Sequence, residues 1–470
     1  MSLRQFITGR KLLRSITDLT ENVQDRWNDF ASLFGLQEDV FENKKHIELK
    51  KPVTVILIGA GHRGNIYASY AIKNPEEMKV VAVADINETR LSRFQKKYKI
   101  DAAQTYMIWQ EIFSKPKFAD AVIIATPDHL HTEPCLAALD AGYDVLLEKP
   151  IAPTELECRM ILDKALSTGR IVGVCHVLRY SPYFRELKEV IDKGLIGSII
   201  SVQHMEPIEQ VHMSHSYVRG NWNNSKSATP ILLAKSCHDT DIIRWLVNNP
   251  VKDVHCFGNL KWFTNKNAPE GSTERCTDGC AVELSCPYSA LQIYLRDKKR
   301  LYVFDMPDKE EEWDDYILQQ LKTTDYGRCV YKMNNDQPDH LTVNMLFENG
   351  VTAAFSMEAH VSYEGRRTRI MGSKGDVAGD METFVLTDFR SRKQTSWRMK
   401  TDAHGGGDHR LVKDWLQAVA QQDKTLLSSS IEVSVESHLI ALAAEKSRLS
   451  RSIEEVTLHA AEPAIFINQT

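Results

Sequence analysis

The chain has 470 residues, 43% of them apolar, which is enough to build the packed cores of two or three domains. Its 58 basic and 63 acidic residues give a formal net charge of -5, which argues against nucleic acid as a partner. The apolar runs are too short to cross a membrane, there is no apolar secretory leader, and the nine cysteines are scattered, so a cytoplasmic protein is expected.

Residues 1–50 precede the first predicted strand and carry the pattern of an amphipathic helix. Apolar side chains recur every three or four residues, and acidic side chains occupy the polar face. We expect this helix to pack on the body of the chain or on a second subunit, because a membrane-surface helix would present lysines there. The apolar positions are Leu12, Ile16, Leu19, Val23, Trp27, Phe30 and Phe34.

A strand that runs directly into a glycine-rich turn follows, in residues 53–64, VTVILIGAGHRG. One glycine permits the tight turn, the next leaves room for a pyrophosphate, and the third lets the following helix pack on the sheet. Backbone amides at the start of that helix then bind the phosphates. The turn therefore predicts a dinucleotide site formed by Gly59, Gly61, His62, Arg63 and Gly64.

The second predicted strand, 79–84, ends in Asp85, about where the ribose of a dinucleotide is bound. A carboxylate there accepts hydrogen bonds from both ribose hydroxyls and repels a 2′-phosphate, which favours NAD over NADP. Arg90 lies five residues further on and keeps NADP as the alternative cofactor.

Strands and helices alternate over residues 51–175, as a parallel sheet requires. Two strands end in polar motifs: Thr126, Pro127 and then His131 follow one, and Glu148 and Lys149 follow the other. Because the carboxyl ends of parallel strands meet at one edge, we expect these residues and the glycine turn to line one crevice. The predicted strands are 53–58, 79–84, 119–125, 144–147 and 171–175.

Beyond residue 176 the pattern changes to helices mixed with β-rich stretches. We predict a helical extension at 1–50, a Rossmann domain at 51–175 and, at 176–470, an α/β domain built on a large open, mostly antiparallel sheet. Helices are predicted at 182–193, 236–248 and 431–450, and strands at 198–204, 341–347 and 351–357.

A further cluster of ionisable side chains lies in residues 235–246, KSCHDTDIIRWL. On a helix, Lys235, His238 and Asp241 are spaced three apart and share one face. Since an imidazole titrates near neutral pH, His238 is a candidate general base, the alternative being a structural histidine.

In their order and spacing these motifs resemble the Gfo/Idh/MocA oxidoreductases, named after glucose-fructose oxidoreductase and inositol dehydrogenase. The resemblance covers roughly residues 51–460 and implies hydride transfer between NAD(P) and a hydroxyl-bearing carbon of a sugar, polyol or related carbohydrate. It also implies an active-site Lys149, a Glu148 near the nicotinamide, and a homodimer or homotetramer. Ala234 stands where dehydrogenases of the family often carry an aspartate.

The chemistry expected of these residues follows from their charges. Lys149 would hydrogen-bond the substrate hydroxyl and stabilise its oxygen as hydride leaves the carbon, while His238 moves the proton. His176, Arg179 and Asp408 are candidates for contacting the substrate, although linker and helix-capping roles explain them equally well.

Two other functions stay compatible with the same residues. An enzyme that keeps NAD bound would use transient oxidation to eliminate a glycosidic bond, as some glycosidases related to the family do. A non-catalytic nucleotide-binding sensor or scaffold would dock a partner through its N-terminal helix. Lys149 and His238 argue against the non-catalytic alternative, and Ala234 argues for it.

Three cysteines, Cys276, Cys280 and Cys286, form a C-x3-C-x5-C cluster. Thiolates this close in sequence are typical of a structural zinc site and, less often, of an iron–sulfur cluster. A fourth ligand is missing nearby, so thiols without metal are the favoured interpretation and zinc is the alternative.

Overall fold

The computed structural model describes residues 49–399 and 406–456. The predicted amphipathic helix of the N-terminal extension lies outside these residues. The described residues form two β-sheets, one of six strands and one of nine. Among them, no helix is both long enough and apolar enough to cross a lipid bilayer.

The first sheet is parallel and has the strand order β3-β2-β1-β4-β5-β6. Most of its side chains are buried, because helices cover both faces of such a sheet. The order reverses direction between β1 and β4, where ligands bind in open parallel sheets. Its strands are β1 (Val53–Ile58), β2 (Met78–Ala84), β3 (Thr105–Tyr106), β4 (Ala121–Ile124), β5 (Asp144–Leu147) and β6 (Val172–Val174).

Two of the helices that connect these strands begin at residues whose side chains cap the helix N-terminus. The Asn87 and Thr154 side chains accept hydrogen bonds from backbone amides in the first turns of two of them. The short strand β3 was not predicted, since two residues carry no periodic pattern. The helices are α1 (His62–Ala68), α2 (Tyr70–Lys73), α3 (Glu88–Tyr98), α4 (Gln110–Phe113), α5 (Thr132–Asp140) and α6 (Glu155–Thr168).

The second sheet has the order β14-β13-β12-β11-β7-β10-β9-β8-β15 and is mostly antiparallel, as predicted. Within the described residues β7 and β10 pair in parallel, and the other neighbours pair antiparallel. Its strands are β7 (Ile199–Glu209), β8 (Val251–Asn259), β9 (His340–Phe347), β10 (Thr352–Val361), β11 (Arg367–Gly372), β12 (Gly375–Gly379), β13 (Thr383–Asp388), β14 (Gln394–Arg398) and β15 (Glu454–Glu455).

One face of the second sheet is buried and the other is open. In β9, Leu341, Val343 and Met345 point into the core, while the alternating residues Asn344 and Leu346 are exposed. The helices of this part of the chain are α7 (Pro182–Asp192), α8 (Gln210–Met213), α9 (Ile231–Ala234), α10 (Cys237–Val247), α11 (Trp313–Thr323), α12 (Gly407–Gln421) and α13 (Ile431–Ser450), with a π-helical turn at Ser214–Arg219.

Helix α12 returns from the C-terminal part of the chain to the first sheet. Trp415 is fully buried there, and its indole Nε1–H donates a hydrogen bond of 3.1 Å to the carbonyl of Val145 in β5. Gly407 packs so closely that a Cβ would lie 1.9 Å from the carbonyl oxygen of Val177. The first sheet is therefore completed by residues far from it in sequence.

We expect Trp415→Ala to lower the free energy of unfolding by about 3–5 kcal/mol, because it empties a fully buried site. Urea unfolding followed by circular dichroism measures this. Gln421→Ala, at the exposed end of the same helix, is the control and should change stability by less than about 0.5 kcal/mol. Equal stability of the two variants would contradict the packing described for α12.

Candidate functional site

The glycine turn after β1 has the geometry that a bound pyrophosphate needs. Gly59 has a φ of +95°, and a Cβ there would lie 2.5 Å from the carbonyl oxygen of Ala125. A Cβ on Gly64 would lie 2.0 Å from the carbonyl oxygen of Gly59. A Cβ on Gly61, in contrast, would meet none of the described atoms within 4 Å. Gly61 thus leaves open the space at the start of helix α1.

Asp85 is held in place by the turn that it faces. One carboxylate oxygen accepts a hydrogen bond of 2.7 Å from the amide of Ala60, and the other accepts one of 2.8 Å from the amide of Asn87. Arg90 donates from Nε to Asp305, at 3.1 Å, in the second part of the chain. The residue expected to suit a 2′-phosphate is therefore already engaged by a carboxylate.

A buried ionic network lies beneath the turn. Arg63 donates to Glu148 at 2.6 Å and to Asp408 at 2.5 Å, and the Tyr67 hydroxyl donates to Glu148 at 2.9 Å. Burial opposes the charge of Glu148, but the charges of Arg63 and Lys149 outweigh it and hold the pKa of Glu148 below its usual value. The network thus joins helices α1 and α12 to the end of β5.

The ends of β4 and β5 are tied together by His131. This histidine is buried, and its ring nitrogens lie 2.7 Å from the carbonyl oxygen of Pro150 and 2.9 Å from that of Thr126. Its place is therefore behind the crevice wall, where it holds the two strand ends at a fixed separation.

Lys149 reaches from the end of β5 toward the segment before helix α10. Its Nζ donates a hydrogen bond of 2.6 Å to the carbonyl oxygen of Ala234 and lies 5.8 Å from the centre of the Trp222 ring. The backbone carbonyl of Ala234 therefore positions the ammonium group of Lys149. The side chain of Ala234 has no carboxylate that could do so.

The predicted cluster around His238 divides between two environments. Lys235 precedes helix α10 instead of lying on it, and its Nζ pairs with Glu206 at 2.8 Å. Asp241 is on the helix but faces away from the crevice, where Arg179 binds its carboxylate in bidentate fashion at 2.6 and 2.7 Å. The three residues do not share one helix face, because the chain bends at Lys235.

The surroundings of Asp241 are those of a structural ion pair. Ser437 of helix α13 donates a further hydrogen bond of 2.8 Å to the carboxylate, which is 1% exposed. Burial opposes its ionisation, but Arg179 and His176 outweigh this and lower the pKa of Asp241. We therefore correct the sequence-based expectation: Asp241 and Arg179 support the site from behind and do not face a substrate.

His176 is fully buried between the ion pair and His238. Its Nε2 lies 3.7 Å from Asp241, and its ring centre lies 6.0 Å from that of His238. Burial, with the charges of Arg179 and Lys149, lowers its pKa to about 4 against the opposing effect of Asp241. His176 is therefore neutral at neutral pH. It contacts His238 on the side that faces away from the cavity.

One cavity of about 2230 Å³ joins the glycine turn to the second sheet. Gly64, His131, His176, Arg179, Asp241 and Asp408 are absent from its described lining. The expected site residues that do line it are Gly59, Gly61, His62, Arg63, Asp85, Arg90, Thr126, Pro127, Glu148, Lys149, Lys235 and His238.

The far wall of the cavity contains charged residues that the sequence reading missed. Glu206 in β7 and Arg366 before β11 pair at 2.9 Å, and Arg366 also binds the buried Asp239 at 2.6 Å. Burial opposes the charge of Arg366, but the two carboxylates raise its pKa. A signal did exist for Glu206, because it and His204 occupy inward positions of a strand where apolar residues are usual.

The three clustered cysteines do not form a metal site. Cys276 Sγ accepts hydrogen bonds from the Ala290 amide at 3.4 Å and from Arg219 at 3.9 Å. Within residues 49–399 and 406–456, no group of three or more His, Cys, Asp or Glu side chains is arranged to hold a metal ion. The zinc alternative is therefore not supported. The thiol of Cys276 instead completes the packing around Arg219.

Comparison with known families accounts for both sheets. Residues 53–176 match the family model described as "Oxidoreductase family, NAD-binding Rossmann fold", and residues 188–454 match "Oxidoreductase family, C-terminal alpha/beta domain". The chain belongs to the Gfo/Idh/MocA oxidoreductase family. The resemblance drawn from the motifs is thereby confirmed, as is the fold class of both parts.

Individual members of this Gfo/Idh/MocA family are distant from the chain. YteT of Bacillus subtilis is 28% identical over 322 residues, which are 64% of this chain and 72% of YteT. Inositol 2-dehydrogenase of Pseudomonas fluorescens is 32% identical over 201 residues, 42% of this chain. That alignment covers only 55% of the dehydrogenase.

A solved structure agrees with the fold. It is an inositol dehydrogenase homolog from Azotobacter vinelandii in complex with NADH and myo-inositol. It superposes with a TM-score of 0.62 at 16% identity, over 87% of this chain and 98% of that one. At this identity the likeness establishes the shared architecture.

The buried His176 predicts a loss of stability in acid. The unfolded chain protonates this histidine near 6.5, whereas the folded chain does so near 4. Between these values the unfolded state binds more protons, so the free energy of unfolding falls as the pH falls. We expect His176→Gln to shrink the stability difference between about pH 7 and about pH 5 by about 1–2 kcal/mol, measured by urea unfolding.

Val174→Ala is the matched control for this measurement, since it removes buried apolar volume nearby without a titratable group. It should lower stability by a similar amount at both pH values. A His176→Gln variant with the wild-type pH dependence would contradict the lowered pKa.

Proposed function

We propose that the protein is an NAD-dependent dehydrogenase that moves hydride between the nicotinamide and a hydroxyl-bearing carbon of a sugar, polyol or related carbohydrate. The observation that carries this proposal is the single cavity lined both by the glycine turn and by Lys149 and His238. The names of the relatives support the substrate class, since they include inositol 2-dehydrogenase.

The residues around the turn fit a dinucleotide. The open space at Gly61 suits a pyrophosphate, and the fixed carboxylate of Asp85 suits a ribose diol. When bound, the nicotinamide supplies the acceptor or donor of the hydride. NADP is the less favoured cofactor, because Arg90 is paired with Asp305.

Lys149 is well placed to act on the substrate oxygen. An ammonium group has three hydrogens, and the carbonyl of Ala234 takes one of them. The others are available to a substrate hydroxyl in the cavity. As hydride leaves the adjoining carbon, the positive charge stabilises the electron density that grows on that oxygen.

His238 would accept the proton of the same hydroxyl. It lines the cavity with Lys149 and is only 7% exposed, so its ring is largely shielded from bulk water. His176, neutral behind it, adds no positive charge that would oppose proton uptake.

The far wall suits an uncharged substrate with many hydroxyl groups. Glu206 is balanced by Lys235 and Arg366, and Glu364 accepts hydrogen bonds from His212 at 2.8 Å and from Arg300 at 2.9 Å. Such paired charges offer donors and acceptors without a strong net field. A polyol or sugar matches this arrangement better than a polyanion does.

The first experiment is to identify the nucleotide released from the purified protein by mass spectrometry and then to follow NADH absorbance with free sugars, polyols and aryl glycosides. We expect NADH to accumulate with a free sugar or polyol. Glycoside cleavage with NAD unchanged would favour the redox-assisted glycosidase, and failure to bind any nucleotide would overturn the proposal.

We expect Lys149→Met to lower kcat by about 100-fold or more, because the variant cannot stabilise the substrate oxygen. Steady-state kinetics measure this, and the Kd for NADH, from fluorescence titration, should change by less than about threefold. Lys193→Met removes an exposed lysine of helix α7's C-cap and should leave both unchanged. A Lys149→Met enzyme with wild-type kcat would refute the assigned role.

We infer that copies of the chain pair through the open face of the second sheet, as a homodimer or as half of a homotetramer. On this face Phe257 of β8 is 56% exposed and Leu346 of β9 is 38% exposed, with Ala354 of β10 beside them. Exposed apolar side chains on a broad sheet are typical of a subunit interface.

The described cysteines are all free thiols, which supports the cytoplasm as the compartment.

The double variant Phe257→Arg/Leu346→Arg should halve the molar mass in solution, to one chain from a dimer or to two chains from a tetramer, because like charges would face each other across the twofold axis. Size-exclusion chromatography with light scattering measures the mass. Leu156→Arg alters an apolar residue on helix α6 that is 69% exposed and should leave the mass as in the wild type. A double variant with the wild-type mass would place the interface elsewhere.

A further inference from the structure

Residues 301–308, from the second part of the chain, reach across to the first sheet beside the dinucleotide turn. The Tyr302 ring stacks on His62, with 4.5 Å between the ring centres. Arg93 of helix α3 donates a hydrogen bond of 2.8 Å to the carbonyl oxygen of Met306. Tyr302 and Asp305 line the same cavity as the glycine turn. This segment, called the 301–308 segment below, thus closes one side of the cofactor end of the cavity.

Asp305 is the charged contact between the segment and the first sheet. Its carboxylate accepts from Arg90 Nε at 3.1 Å and from the side-chain amide of Asn87 at 3.4 Å. Asn87 and Arg90 follow Asp85 by two and five residues, just before α3 and in its first turn. Asp305 therefore sits with the residues expected to surround the ribose of the adenosine.

The carboxylates of Asp85 and Asp305 are held in place by contacts with different parts of the chain. Asp85 is held by backbone amides of Ala60 and Asn87, so its position does not depend on Asp305. Asp305 comes from a distant part of the chain and engages the guanidinium of Arg90, with the two side chains 34% and 39% exposed. An arginine at this position could otherwise pair with a 2′-phosphate.

We propose that Asp305 is a second determinant of NAD specificity, supplied from outside the Rossmann domain. It acts by neutralising Arg90 and by adding a negative charge where the 2′-phosphate of NADP would lie. The inference rests on the proposed function to the extent that the cavity must bind a dinucleotide. It predicts that cofactor choice depends on the 301–308 segment as well as on Asp85.

The test is to measure the Kd values of NADH and NADPH by fluorescence titration of the full chain. Asp305→Ala should tighten NADPH binding by about tenfold or more, since it frees a charged donor and removes a repulsive charge. NADH binding should change by less than about threefold. The Arg90→Ala/Asp305→Ala double variant should lose most of the gain, because the freed guanidinium is the group that binds the phosphate, and should keep only the part that comes from removing the repulsive charge.

Asp308→Ala is the matched control. Asp308 lies in the same segment and pairs with Arg93 at 3.7 Å, but its side chain is 96% exposed and Arg90 is not its partner. This variant should bind both nucleotides as the wild type does. Asp305→Asn keeps the shape of the side chain without its charge, and part of the NADPH gain should persist in it.

The inference is overturned if Asp305→Ala and Asp305→Asn bind NADH normally but NADPH no better than the wild type does. It is also overturned if Asp308→Ala gives the same gain, because the effect would then be a general loosening of the segment. A wild-type chain that binds neither nucleotide overturns the proposed function itself, so the two failures are distinguishable.

Discussion

The position of the site depends on one buried ion pair, between Arg179 and Asp241. Arg179 follows β6 of the first sheet, Asp241 lies on helix α10 of the second part, and Ser437 of helix α13 completes the contact. Removing one partner would leave a buried charge uncompensated, at a cost of about 3–5 kcal/mol. The pair therefore fixes helix α10, and with it His238, against the carboxyl edge of the parallel sheet.

Most charged side chains at the edge of the cavity are paired with a side chain of opposite charge. Glu148 is bound by Arg63, and Glu206 by Lys235 and Arg366, so most charges at its edge have partners. Lys149 instead contacts the carbonyl of Ala234, a dipole that positions the ammonium group without neutralising it. Because residue 234 is an alanine, no side-chain carboxylate at this position pairs with Lys149, and the ammonium group lines the cavity.

The first sheet was largely predictable, because strongly apolar strands end in recognisable turns. Gly59 needs a positive φ and Gly64 needs close packing, so the structure has glycine where the motif demands it. The helix 431–450 was predicted with its observed bounds. The bend at Lys235 was missed, because a bend between two short helical segments leaves their apolar periodicity nearly unchanged.

The sequence by itself determined the family, the dinucleotide turn, the place of Lys149 at the end of a strand and that of His238 on a helix, because these depend on short-range patterns. Only the tertiary structure decided that Asp241 faces Arg179, that Arg63 binds Glu148 and Asp408, and that Asp305 engages Arg90. Each of these contacts joins residues more than 60 positions apart. Pairings of that kind follow from how the two sheets dock, which no local periodicity encodes.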